Sequence, residues 1–302
     1  MISKVIEISQ HSADLTAHNA QLEIRFHDGT RPDVRVPCED LGLLVVDNAG
    51  VTYSHHAVCE LLANGAAVLM CGRNHLPAGL LLPWPNHTLV ASRMRDQIAA
   101  GGPLKKRLWQ QLVAAKILAQ AANVPHKPGA AMHLRALARR VRSGDPANVE
   151  ARAAKAYWRA WRPAGEFRRD PRGKDGLNAM LNYGYAVVRA AMARALVGAG
   201  FQPALGLHHA NRSNAFCLAD DLMEPLRPLV DARVRALYER GERELSPAVK
   251  RELLSTLTET VQTGETTGPL MASFERVAAS LARCYSGEDR SLAIPKAVSC
   301  GP

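Results

Sequence analysis

Residues 206–225, GLHHANRSNAFCLADDLMEP, gather His208, His209, Asp220, Asp221 and Glu224 around a polar loop. Carboxylate oxygens suit hard divalent cations such as Mg2+ and Mn2+, and a single imidazole beside them is easier for Mn2+. The competing account is that the carboxylates only cap a helix and offset its dipole. Capping explains Asp220 and Asp221 well and Glu224 less well. It does not explain the histidine pair.

The elements that must position these groups can be read from spacing. Leu218, Leu222, Met223, Leu226, Leu229, Val230 and Leu237 form one apolar arc, with Asp221 and Glu224 on the other side. Pro225 would break a helix interior but is tolerated in a first turn, whose N–H groups have no intrahelical partner. A helix beginning near 219–221 is therefore expected, with Asp221 and Glu224 at its start. A further carboxylate, Glu150, lies in SGDPANVEARAAKAYWRAW. There Asp145 suits the N-cap and Pro146 the first helical position, which puts Glu150 in the opening turns. Its helical row, Ala154, Tyr157 and Trp161, is mostly apolar and turns Glu150 toward protein or a cleft. Taken alone, this segment is better explained by a glutamate that offsets the helix dipole.

The chain as a whole reads as α+β, a small N-terminal β-rich domain followed by a larger all-helical one. In residues 1–85, QLEIRF leads through Asp28-Gly29, a hairpin signal, into DVRVP. LGLLVVD is a continuous apolar run, and AAVLMCG and AGLLLP read as further buried strands. Ser54 can N-cap a short helix over HHAVCELLA, which Asn64-Gly65 would end. After PWPNH the period changes. Leu104, Leu108 and Leu112 recur every four residues, with Trp109 and Val113 beside them, as in an amphipathic helix. Residues 86–285 are expected to form the helical domain, and 286–302 a flexible tail.

A net charge of +10 favours a polyanionic partner, and nucleic acid is the commonest large one. A basic surface without such a partner would give the same balance. The six cysteines show no C-x-x-C pair and read as reduced thiols. Without H-E-x-x-H or a cysteine ligand set, protease and structural zinc are disfavoured. G-x-x-x-x-G-K-[ST], G-x-G-x-x-G and G-x-S-x-G are absent as well, which argues against an NTPase, a dinucleotide enzyme and a serine hydrolase. No signal peptide or membrane-spanning window is present, so a cytoplasmic protein without a membrane partner is expected. His55 and His56 read as capping or solvent-facing, and with no acid motif nearby they form no triad with Ser54.

Two longer stretches, GLHHANRSNAFCLADDLMEPLRPLVD and DGLNAMLNYGYAVVRAAMARALVGAG, closely resemble the CRISPR-associated integrase of spacer acquisition, the first-numbered Cas protein. LLVVDNAGVTYSH and SRMRDQIAAGGPLKKRLWQQLVAAKILAQA extend the resemblance over nearly the whole chain. Length and the DLMEPLRPLVD wording are most similar to the type II branch, which works beside an RNA-guided DNA nuclease. The resemblance implies a metal site made of a helical-domain glutamate, a histidine in G-x-x-H and an acid in D-x-x-[DE]. By position these are Glu150, His209 and Glu224, implied to be both the catalytic residues and the ligands of Mg2+ or Mn2+. Asp221 and His208 become supporting neighbours, and LNYGYA packs beneath them with Asn178 and Asn182 in the polar surroundings.

The resemblance further implies an N-terminal dimerisation domain and an asymmetric homodimer. Two such dimers would flank a dimer of the small second-numbered Cas protein in a heterohexamer. The implied activity is that of an endonuclease and integrase, joining prespacer 3′-OH ends to a CRISPR repeat in double-stranded DNA. A metal with oxygen and imidazole ligands suits such a transesterification, and the DNA itself brings the nucleophile. Basic residues then acquire a use as phosphate contacts: Arg93, Lys105 and Lys106, and Arg168, Arg169, Arg172 and Lys174 in the loop RRDPRGK. For most single basic clusters, including Arg135, Arg139, Arg140 and Arg142, a solvated helix face is the simpler account. Two other functions stay open, a non-catalytic basic DNA-binding scaffold and a generic hydrolytic metal-dependent nuclease.

Overall fold

The run Leu41–Val46 is buried at every position, so both faces of this strand must be covered. The computed structural model, which describes residues 4–29, 31–84, 87–162, 167–174 and 176–298, shows what covers them. The N-terminal part contains β1 (Lys4–Ile8), β2 (Ala13–His18), β3 (Gln21–Phe26), β4 (Val34–Pro37), β5 (Leu41–Val46), β6 (Thr52–Tyr53), α1 (His55–Ala63), β7 (Ala67–Cys71) and β8 (Pro77–Leu81). One sheet has the order β1-β5-β7-β8, parallel except for β8, and the other the order β4-β3-β2-β6. Alternate side chains of the first sheet part company. Leu43, Val45, Ala67 and Leu69 join the core of the helical part, while Leu44, Val46 and Val68 join a second core with the other sheet and α1. One core therefore crosses the boundary expected near residue 85.

Most local signals formed the elements they suggested, but β8, expected as a buried strand, lies at the sheet edge with no residue fully buried, because only β7 pairs with it. Ser54 Oγ accepts the Ala57 N–H at 3.1 Å and starts α1. Gly65, at φ +78°, takes the left-handed turn that releases the chain toward β7. β3 and β4 pair antiparallel around a connection in which Gly29 has φ +62°.

The helical part comprises α2 (Val90–Ala99), α3 (Gly102–Ala122), α4 (Pro128–Ala138), α5 (Val149–Trp161), α6 (Gly176–Gly198), α7 (Cys217–Met223), α8 (Arg227–Glu239) and α9 (Pro247–Leu254). It continues through β9 (Thr260–Thr263), β10 (Thr266–Pro269), α10 (Leu270–Ser286) and β11 (Lys296–Ala297). The central helix α6 is buried along most of its length and packs against α7, α8, α9 and α10. Gly184 in LNYGYA permits the approach of α8, because a Cβ there would lie 2.4 Å from Val230 Cγ1.

The α+β reading holds, a β-rich part ahead of a mainly helical one, although the latter is not all helix, since β10, β9 and β11 form a small antiparallel sheet. The segment after residue 285 is not loose as far as 298. Leu292 is buried, its N–H reaches Gln111 Oε1 at 2.9 Å, and the Ala293 N–H reaches Ser280 Oγ at 3.0 Å. Pairing with β9 and these side-chain acceptors satisfy a backbone that would otherwise stay in water. Residues 299–302 lie outside the described residues.

A buried polar seam joins the first sheet to the helices. Asp47, just after β5, pairs with Lys250 of α9, and both side chains are almost wholly buried. His75 Nδ1 stands 3.1 Å from the other Asp47 oxygen. Beside them, neither carboxylate oxygen of Glu7 finds a directed hydrogen bond among the described residues. Burial, opposed by Lys250 and reinforced by Asp47, pushes the Glu7 carboxyl up from 4.5 to about 7. Its folded pKa exceeds its unfolded one, so its contribution to stability is full below about pH 4.5 and is lost as pH rises through about 7. Glu7→Gln should therefore raise stability at about pH 8 by on the order of 2 kcal/mol and leave it nearly unchanged at about pH 4. Urea unfolding of both proteins at the two pH values checks this, and an equal gain at both would contradict it.

Candidate metal centre and nucleic-acid cleft

The turn before α5 sets the position of Glu150. Gly144, Asp145 and Asn148 adopt left-handed backbone, with φ of +76°, +48° and +48°, a conformation that Gly, Asp and Asn tolerate best. Asp145 is thereby brought back over the helix start, where its two oxygens accept the N–H groups of Val149 and Glu150, each at 2.9 Å. Asp145 does cap α5, but from upstream of the N-cap position, which Asn148 holds. Pro146 consequently precedes the helix instead of beginning it.

With its N–H satisfied, Glu150 sends its carboxylate to α3, where Lys116 Nζ lies 2.7 Å from Oε1. The same ammonium is 2.5 Å from Glu224 Oε2. Glu224 opens the 3-10 turn Glu224–Leu226 that joins α7 to α8. The helix expected from 219–221 in fact begins at Cys217. Asn214 makes the earlier start possible, accepting the Phe216 N–H at 2.9 Å and donating to Asp220 Oδ2 at 2.7 Å. Pro225 then falls in the 3-10 turn, not in a first α-helical turn. Arg227 Nε bonds Glu224 Oε1 at 2.9 Å. Burial by itself would raise the Glu224 carboxyl, but Arg227 and then Lys116 overcome it and hold the group down at about 2. Burial likewise works against the charge on Lys116, and Glu224 and Glu150 together push its pKa up.

Asp221 organises the histidine loop. Wholly buried in α7, it accepts the backbone N–H groups of Leu207 at 2.6 Å, His208 at 2.9 Å and His209 at 3.3 Å. Its Oδ1 also faces His209 Nδ1 at 2.5 Å. This hydrogen bond, against the effect of burial, raises the pKa of His209. Gly206 is required here, because a Cβ would meet the His209 carbonyl oxygen at 2.4 Å and Asp221 Oδ2 at 2.8 Å. With the carboxylate at Nδ1, the neutral ring carries its proton there and keeps the Nε2 lone pair for a ligand. His208 is differently engaged. Its ring stacks on buried Trp109 with centroids 4.2 Å apart and planes within 2°, while His209 meets the same indole edge-on.

Lys116, Glu224 and Arg227 form part of the wall of a cavity of about 780 Å3. Leu76 and Pro77 reach it from the N-terminal part, and Arg169, Arg172, Lys174 and Arg189 add positive charge. Of the three expected ligands only Glu224 lines this cavity. The basic loop is stapled to α6 by two asparagines. Asn178 accepts the Asp170 N–H at 2.8 Å and donates to the Arg168 carbonyl at 3.1 Å, while Asn182 donates to the Gly173 carbonyl at 2.8 Å. Asn182 Oδ1 also accepts from Arg169 at 2.6 Å. These asparagines therefore shape the basic loop, and among the described residues neither is hydrogen-bonded to Glu150 or Glu224. Buried Asp231 accepts the hydroxyls of Tyr157 and Tyr185, and Arg227 and Arg169 lie over the Tyr185 ring at 4.7 and 5.3 Å.

Other expected DNA contacts lie elsewhere. Arg93 donates to the Ala199 carbonyl at 2.6 Å and lines a separate cavity with Trp84, His87 and Arg194. Lys105 and Lys106 lie in the first two turns of α3 and do not line the 780 Å3 cavity, and the Lys106 stem lies against Gly144. Arg168 is exposed at the edge of the loop.

The family described as CRISPR associated protein Cas1 has a sequence model that matches residues 6–262. This chain belongs to the Cas1 family. A CRISPR-associated endonuclease Cas1 of Neisseria meningitidis serogroup C (strain 8013) is 40% identical over 252 residues, covering 82% of this chain and 81% of the relative. Among solved structures, a casposase bound to integration product matches with a TM-score of 0.78 at 19% identity, over 96% of this chain and 93% of the other. A chain of a Cas6-RT-Cas1–Cas2 complex matches with a TM-score of 0.74 at 18% identity, over 96% of this chain and 35% of the other. At these identities the two structures show a shared fold.

The Cas1-family reading implies a divalent ion, and the residues present can be tested against it. Among the described residues, no three His, Cys, Asp or Glu side chains converge on one point as they stand. Glu150 and Glu224 meet at Lys116, and His209 is held at Asp221. The donors nonetheless suit a hard cation. Glu224 Oε2 is buried without a directed hydrogen bond, Lys116 being near it but off line. The two carboxylates already share one positive charge, and His209 Nε2 has no protein partner among the described residues.

Lys116 and Arg227 are the contacts that sequence reasoning missed. A signal for Lys116 existed, since it extends the row Leu104, Leu108, Leu112 by one more step of four. A lysine on the apolar row of a helix needs a buried partner. Because Asp221 serves several loop donors at once, Asp221→Asn should cost on the order of 2–3 kcal/mol, as one end of the amide would face N–H groups. A urea midpoint that implies less than about 1 kcal/mol would show that the loop does not depend on this carboxylate.

Proposed function

We propose that this Cas1-family chain is a divalent-metal-dependent DNA integrase with endonuclease activity, which transfers prespacer 3′-OH ends into a CRISPR repeat during spacer acquisition. One observation carries the reading: Glu150 and Glu224, from separate elements, converge on a single cation at the wall of a basic cavity. A phosphodiester backbone suits the guanidinium and ammonium groups of Arg169, Arg172, Lys174, Arg189 and Arg227, whose contacts would be salt-dependent and tolerant of sequence. The name of the Neisseria relative, an endonuclease, and the casposase bound to integration product support the same chemistry.

Glu150, Glu224 and His209 through Nε2 would hold Mg2+ or Mn2+. When bound, the ion supplies charge neutralisation at the reacting phosphate and assists ionisation of the attacking hydroxyl. The chain's own residues do the rest. Asp221 orients the His209 ring and fixes its tautomer, and Arg227 keeps Glu224 ionised. Asp231, through Tyr185, steadies the two guanidiniums at the cavity wall. In strand transfer the incoming 3′ oxygen bonds to phosphorus as the P–O3′ bond of the repeat breaks, and the departing 3′ oxygen takes up a proton. One phosphodiester is exchanged for another, so no protein nucleophile is needed.

The partners in this reading are double-stranded DNA, a second copy of the chain and the small second-numbered Cas protein in a heterohexamer. The structural match to a chain of a Cas1–Cas2 complex supports the last of these. Residues 1–85 would serve dimerisation and 86–285 catalysis, and the type II resemblance adds an RNA-guided nuclease. A cytoplasmic site of action suits these partners. Among the described residues no helix is long and apolar enough to cross a membrane.

The test uses a branched DNA that mimics a half-integrated duplex, with Mn2+. Wild type should resolve it and EDTA should stop the reaction. Glu150→Gln, His209→Ala and Glu224→Gln should each slow it by about 100-fold or more, with DNA affinity little changed. Tight binding without any reaction would make the protein a scaffold, and cleavage without rejoining would make it a hydrolytic nuclease.

A further inference from the structure

Lys116 stands where a metal-ligating pair would least be expected to admit a protein cation. It continues the leucine row of α3, its side chain is only 12% exposed, and its ammonium bridges Glu150 and Glu224 at 2.7 and 2.5 Å. Two carboxylates so close together cannot both stay ionised without a positive charge between them. Arg227 cannot supply it alone, because its Nε is given to Glu224 Oε1 and its guanidinium lies over Tyr185. Nor does Arg227 bond Glu150 in this structure. Among the described residues, Lys116 is thus the one group that holds the two carboxylates to a common point.

We propose that Lys116 is the resident counter-ion of the metal ligands: its ammonium holds Glu150 and Glu224 together in the metal-free protein and must withdraw before a divalent cation takes their oxygens, so that it sets the metal affinity of the site. The inference rests on the metal-site reading above. The geometry provides for the exchange. Lysine has a flexible four-carbon stem ending in a compact charge, and Lys116 itself lines the 780 Å3 cavity. Rotation about its outer torsions takes the ammonium from the carboxylates into that space, where a DNA phosphate can receive it. A phosphate that accepts the displaced charge eases metal entry, and linkage makes the effect reciprocal, so metal and DNA bind cooperatively. Arginine would not exchange in this way. Its planar fork can bond both carboxylates at once and would keep the place occupied.

The experiment measures Mn2+ affinity by calorimetry, and thermal unfolding with and without Mn2+, on the full chain as wild type, Lys116→Met, Lys116→Arg and Glu224→Gln. Lys116→Met should lower the metal-free Tm and tighten Mn2+ binding by about tenfold, the lower end of what a neighbouring charge is worth to a carboxylate equilibrium. It should also enlarge the rise in Tm that Mn2+ produces. Lys116→Arg should keep the metal-free Tm and weaken Mn2+ binding. A short DNA duplex should tighten Mn2+ binding in wild type but not in Lys116→Met. If folded Lys116→Met binds Mn2+ no more tightly than wild type, Lys116 is a structural ion-pair partner only and the proposal is overturned. Should the Met variant fail to fold, Lys116→Arg decides, and an unchanged Mn2+ affinity overturns the proposal. Mn2+ binding that is absent from wild type, or equal in wild type and Glu224→Gln, is a different result. It removes the metal site itself, and the inference with it.

Discussion

A carboxylate as deeply buried as Glu224 cannot remain charged unless the surrounding protein compensates it. Much of the cleft follows from that constraint. Arg227 takes one oxygen and Lys116 approaches the other, and together they keep the group ionised across the physiological range. Arg227 in turn lies on Tyr185, whose hydroxyl is anchored by buried Asp231. Lys116 ties Glu224 to Glu150 and thus α3 to α5 and to the turn that opens α8. The ionised carboxylate and the packing that positions it come from the same few contacts.

Asp221 plays the matching part for the histidine. One carboxylate serves the loop backbone and the imidazole together, so the fold of the loop and the tautomer of His209 are a single decision. The N-terminal part also takes a share in the cleft. The Asp47–Lys250 pair locks the end of β5 to α9, and His75 on the same aspartate leads directly to Leu76 and Pro77 at the cavity wall. A β-rich part with a separate role in assembly would still be coupled to the site through this seam.

What could be read from the sequence was what local rules govern. The all-apolar β5, the Ser54 cap, the Gly65 exit and the long amphipathic α3 each follow from residues close together in the chain. The short strands β9 to β11 were hidden because two to four residues carry too little period inside a helical stretch. Glu150 shows why local reading could not settle the site. Its N–H is capped as the dipole account expects, yet its side chain belongs to Lys116 on another helix. His208 and His209 are indistinguishable by type. Trp109, about a hundred residues earlier and apparent only as one more apolar position on α3, takes the face of one, while Asp221 takes Nδ1 of the other. Asn178 and Asn182 were expected as polar neighbours of the metal ligands, and only the folded loop shows that they hold the basic segment instead.

In the proposed site, Glu150, His209 and Glu224 would take one divalent ion between them. The most direct measurement is electron–nuclear double resonance on the Mn2+-loaded protein with 15N-labelled histidine. Coupling to one imidazole nitrogen is expected, lost in His209→Gln and retained in His208→Gln. Mn2+ that shows no histidine coupling, or coupling that vanishes with His208 instead, would contradict it.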